Sequence, residues 1–189
     1  MRALKYHAMV QIPQKGTVLR PKNAVLSVSL QASVVNFLFE QLHSPARICG
    51  GLLFGYHEGT MLRVVLASSA GFPQWYEQST RSLLTVDDRF TLGWAEAVAE
   101  IWGGQIDWCG NWTIHPTAQC PTDTWAREQF SDGQMQGLFD EHTILLIAGW
   151  RDGVANFQAY VADHEGNTAT AAVSLSSGTP TDLPALCLS

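Results

Sequence analysis

Charge is what this chain has least of. Only 15% of its 189 residues are charged, 11 basic against 17 acidic, for a net charge of −6. A nucleic-acid binder needs a basic face that displaces counterions from phosphates. No run of Lys or Arg supplies one, so that class is set aside. Long apolar runs are missing as well. No stretch approaches the ~20 residues needed to span a bilayer, and the N-terminal MRALKYHAMVQIPQKG has no apolar core of the kind a secretion signal carries. Cysteine is scarce: Cys49, Cys109, Cys120 and Cys187 form no CxxC pair, which excludes a disulfide framework. The Asn111-Trp112-Thr113 sequon, without a secretion signal, is a coincidence. The expectation is a cytoplasmic protein that touches neither membrane nor nucleic acid.

What is present is apolar. Hydrophobic residues make up 46% of the chain and seven are Trp, enough for one domain with its own core. Three segments are expected: residues 1–24 as an N-terminal extension, 25–165 as the domain, and 166–189 as a C-terminal segment with a polar tail. Met9–Ile12 reads as a short strand, and Val25–Leu30 has strand composition. In Gln31–Leu42, Val34, Val35, Leu38, Phe39 and Leu42 recur at helical spacing. Ser44-Pro45 stops that helix. Ile48–Tyr56 and Met61–Ala67 form a hairpin around His57-Glu58-Gly59. Leu83–Val86 reads as a strand. Asp87 and Asp88 are placed to cap a helix over Arg89–Trp102, ended by Gly103-Gly104. Ile106–Ile114 is a strand, Asp123–Phe130 a short helix, and 142–150 with 154–162 a second hairpin. Helices alternating with hairpins around one core predict an α/β sandwich.

One stretch holds candidate chemistry: GNWTIHPTAQCPTDTW, residues 110–125. With the element order around it, and with the Gly50-Gly51-Leu52-Leu53-Phe54-Gly55 strand, it resembles the JAB/MPN (JAMM) metalloprotease-like domains. The residues that carry the resemblance are Gly110, Trp112, His115, Pro116 and Pro121, with Thr122 a near match to serine. The resemblance implies a cytidine-deaminase-like sandwich, a mixed, mostly antiparallel sheet flanked by helices. It also implies where a zinc hydrolase would keep its parts. The two histidines of the family motif fall on Thr113 and His115, its aspartate on Trp125, and its general base on Ile48 (Arg47 in a register one residue earlier).

A catalytic zinc needs three converging protein ligands and an open position for water. Here one of the three is a histidine. Ile48 cannot deprotonate water, and Thr122 retains only a hydroxyl. A rebuilt set of His115, Cys120 and Asp123 would come from one short loop and lacks a visible base or supporting shell. Cys120 as a nucleophile with His115 as base is the other catalytic option, set against a plain free thiol in a turn. The favoured expectation is therefore a binding or assembly module related to deubiquitinase-type isopeptidases, without catalysis or cofactor, in a prokaryotic setting. The alternative is a zinc isopeptidase with altered ligands. The resemblance implies a protein partner, either a ubiquitin-like tail or a sister JAB/MPN domain, and a homodimer is also open. Phe72, Trp75 and Tyr76 form the candidate contact patch, since Tyr and Trp are enriched where interfaces concentrate their energy.

Overall fold

Strands built from apolar and β-branched residues dominate the described part of the chain. The computed structural model describes residues 24–43, 50–71 and 87–176, without the side chain of Asp88. Among these are seven strands: β1 (Ser27–Leu30), β2 (Gly50–Glu58), β3 (Met61–Ser69), β4 (Asp107–Gln119), β5 (Ile144–Arg151), β6 (Val154–Ala162) and β7 (Thr168–Leu175). Three helices join them: α1 (Ala32–His43), α2 (Asp88–Ile101) and α3 (Asp123–Met135). The second of these begins where Asp87 accepts the amide hydrogens of Arg89 and Phe90, an N-cap that satisfies donors the helix cannot. Met9–Ile12, Leu83–Val86, Ile48 and the patch of Phe72, Trp75 and Tyr76 lie outside the described residues.

The sheet closes on itself in the order β1-β3-β2-β4-β5-β6-β7. This overturns the expected helix-flanked α/β sandwich of the JAB/MPN, cytidine-deaminase-like kind. The reason lies in two short strands. β1 pairs in parallel with β3 on one side and with β7 on the other, so it bridges what would be the two edges of an open sheet. The bridging partner, TATAAVSL, is built of small residues with one face exposed, so it gives almost no periodic apolar signal. The sequence reading marks no strand there, and without that strand a sheet cannot close. α3 also runs to Met135, five residues past its expected end.

Five strands (β1, β3, β4, β5, β7) run toward one end of the barrel, here the upper rim, while β2 and β6 run toward the lower rim. The bore is filled by Val28, Leu53, Val64, Trp112, Leu146 and Val161 with their neighbours, and α1 contributes Val34, Leu38 and Leu42. Those three sit at four-residue intervals, one face of a helix, and α1 contacts β3 and β5. Outside the barrel a second core forms under α2 and α3, from Phe54, Val98, Phe130, Leu145 and Tyr160 among others. Gly51 shows how tight the wall is. A Cβ there would collide with the Ser68 carbonyl oxygen and lie 2.7 Å from Trp112 Nε1. That indole nitrogen donates to the same carbonyl at 2.8 Å, so the buried ring keeps its polar group satisfied.

Candidate functional site

The motif lies on β4 and its exit at the upper rim. β4 pairs with β5 residue for residue as far as Ile114 opposite Ala148, then resumes at Gln119 opposite Trp150. Four residues, His115 to Ala118, therefore face the single Gly149. The excess leaves the ladder as a bulge, which re-aims side chains. Its chemistry fits: Pro116 has no amide hydrogen to give, and Ala118 turns the chain back with φ of 56°. Gly149 lets the strand return, since a Cβ there would lie 2.7 Å from the Cys120 nitrogen.

His115 sits on this bulge, half-buried. The Thr117 amide donates to its Nδ1 at 3.3 Å, and the Thr117 hydroxyl lies 2.8 Å from the same nitrogen. The hydroxyl itself accepts from the Gln119 amide at 3.4 Å. Nδ1 is thus engaged within the turn by Thr117. The ring packs edge-on against Trp125, with centroids 5.0 Å apart at 78°. Trp125, half-buried, also packs on the outer core under α3. Thr113, on the same strand, is fully buried. Thr122, exposed, caps α3 by accepting the Trp125 amide at 3.3 Å.

The remaining candidates look elsewhere. The Cys120 sulfur lies 3.8 Å from Asn156 Oδ1 on β6. Burial pushes its thiol pKa up, against the opposing charge of Arg151, so it is not poised as a thiolate nucleophile. Asp123 bonds Arg127 Nε at 2.6 Å through one oxygen and the Tyr160 hydroxyl at 3.3 Å through the other. The Arg127 hydrogen bond holds its carboxyl below the usual range. Burial, and then the Asp123 charge, push the Tyr160 phenol up. Among the described residues no group of three His, Cys, Asp or Glu is gathered to hold a metal. The structure brings His115 to Trp125 and Thr117, and directs Cys120 and Asp123 to partners of their own. Thr117, Arg127 and Tyr160 are participants that sequence reading missed. Thr117 alone had a signal there, as a hydroxyl two residues after a histidine in a Pro-bearing turn.

Cys109 also lies on β4, in its ladder with β2. It is the extra residue where Leu53 faces Gly110 and Phe54 faces Trp108, and the shift turns it into the bore. Full burial and the nearby Asp107 charge push its thiol pKa far up.

No family model matches this chain. No curated protein matches it in sequence. Among solved structures it is similar to the solution structure of protein DSY2949 from Desulfitobacterium hafniense. The TM-score is 0.55 at 14% identity, over 82% of this chain and 97% of that one. At that identity the likeness speaks to the fold alone. No helix among the described residues is long and apolar enough to cross a membrane.

Proposed function

We propose that this protein is a non-catalytic binding or assembly module that works in the cytoplasm by engaging a protein partner. The observation that carries the reading is the state of His115. Its Nδ1 is engaged by Thr117 and its ring packs against Trp125, an arrangement that favours packing over ligation. Catalysis needs a nucleophile or metal-bound water beside a base, with the base oriented by a third group. Here Thr113 is buried in the wall, and Asp123 is engaged by Arg127 and Tyr160.

Metal analysis of purified protein, together with an isopeptide- and peptide-cleavage assay with added zinc, tests this. The expected result is no zinc-dependent cleavage and no change in metal content on His115→Ala. Stoichiometric zinc that disappears in that variant, accompanied by cleavage, would overturn the reading.

A further inference from the structure

The strand that closes the barrel is held at its start by two arms. β1 pairs with both β3 and β7, and the two residues leading into it are anchored on different pieces of the lower rim. The Leu26 amide donates to the Thr60 carbonyl at 2.9 Å, on the turn between β2 and β3. The Val25 amide donates to the Glu141 carbonyl at 2.9 Å, on the loop that leads from α3 into β5. Val25 is 1% exposed, so its anchor also seals a core side chain. The loop is braced from within, since Asp140 Oδ1 accepts the His142 and Thr143 amides. It is bonded to the end of β6 through the Ala162 amide.

A pair of histidines joins the two arms. His57, near the end of β2, packs edge-on against His142 of the loop, with centroids 6.1 Å apart at 89°. Both Nδ1 atoms are sealed from solvent and have no hydrogen-bond partner among the described residues. An imidazolium carries a hydrogen on each nitrogen. Protonation of His57 therefore places a charge and an N–H without an acceptor inside the contact that joins the arms. Asp140 attracts that charge, but its Oδ1 is engaged by the loop amides. The Glu141 carboxylate lies beside the other ring, 3.4 Å from His142 Nε2. Glu58, next to His57 on β2, pairs with Arg63 of β3 at 2.7 Å.

We propose that His57 and His142 form an acid-sensitive clasp on the barrel-closing strand. With His57 neutral the arms stay together and the start of β1 is anchored on both. With His57 protonated the loop moves off the end of β2 and the bond from Val25 to Glu141 opens. β1 then remains on the β2–β3 turn through Leu26, and the lower rim opens beside Val25. The direction follows from linkage. Burial, and then His142, lower the His57 pKa from its ordinary 6.5, with Asp140 opposing. The closed clasp takes up the proton less readily than the open one. Closure is therefore complete above pH 6.5 and is lost as pH falls through the lower value of the closed state.

Amide exchange on the isotope-labelled full chain tests this, followed residue by residue by NMR from pH 7.5 down to pH 5. Each rate is divided by the free-chain rate at the same pH. Protection at Val25 should fall roughly tenfold, while Leu26 and Ile147, in the middle of β5, keep theirs. The His57 ring resonances should titrate over the same pH range in which Val25 loses protection. His57→Asn cannot take up the proton and should hold the Val25 protection flat. If that variant does not fold, the wild-type contrast between Val25 and Leu26, and its coincidence with the His57 titration, decide the matter. Val25 protection that does not change with pH overturns the clasp. So does an equal loss at Val25, Leu26 and Ile147, which is global acid unfolding. A Val25 loss that persists in folded His57→Asn, or whose midpoint departs from the His57 titration, overturns it as well.

Discussion

At the lower rim the turns are tied by carboxylates, whereas at the upper rim the strands bulge and part. Below, Asp140 Oδ1 accepts from the His142 and Thr143 amides and from the Thr143 hydroxyl, at 2.8–3.0 Å. Its carbonyl oxygen accepts the Ala162 amide, and the Glu141 carbonyl accepts that of Val25. Asp163 Oδ1 likewise accepts from the Glu165 and Asn167 amides. The Asn167 amide, as the largest cause, holds the Asp163 carboxyl below its usual range. Above, His115–Ala118 leaves the ladder, and β6 separates from β7. Backbone groups in the lower-rim turns are held by side-chain acceptors, while at the upper rim the β4–β5 and β6–β7 ladders are interrupted. The difference predicts that stability is concentrated at the lower end.

The comparison rests on a shared bore, so the largest effect should come from breaking it. Trp112→Ala removes a fully buried ring that packs edge-on with Phe37 at 5.7 Å and bonds Ser68. Chemical denaturation should show a loss of ~3–5 kcal/mol, with both rims unfolding together in one transition. A surviving lower-rim transition would mean that the two ends are separate cooperative units.

The next test weighs the rims against each other. Asp140→Ala leaves the His142 and Thr143 amides without their acceptor in a half-buried turn and should cost ~1–3 kcal/mol. Thr122→Ala, at the upper rim, removes one exposed N-cap and should cost ~1 kcal/mol. If the cap proves the more costly of the two, stability is not concentrated at the lower end.

How far the sequence revealed these features depended on the strength of each local signal. β2, β3, β5 and β6 are dense in Val, Ile, Leu and aromatic residues, and the segments expected there are the ones observed. α1 showed through its four-residue spacing, and α2 through the Asp87 cap and the two glycines after it. Closure did not show. It depends on a β1 of four residues and a β7 of small ones, and long-range parallel pairing leaves no mark in a local window. The resemblance drawn from Gly110, Trp112 and His115 concerned one strand and its exit, and the sheet around that strand took another form. At the site, the histidine and tryptophan were visible in advance. The bulge that brings their rings together was not, because it is set by the register between β4 and β5.

The finest test concerns pH and the lower rim alone. His57, on β2, packs edge-on against His142, their centroids 6.1 Å apart. Burial, and then the neighbouring His142, lower the His57 pKa from its ordinary 6.5, with Asp140 pulling the other way. The unfolded chain then takes up the His57 proton more readily than the folded one. By linkage, this contribution to stability is complete above pH 6.5 and is lost as pH falls through the lower folded value. Denaturation midpoints measured from pH 7.5 down to pH 5 should fall for the wild type, and His57→Asn should flatten that slope without changing the upper-rim exchange rates. An unchanged slope in His57→Asn would place the acid sensitivity elsewhere and remove the lower rim's claim to it.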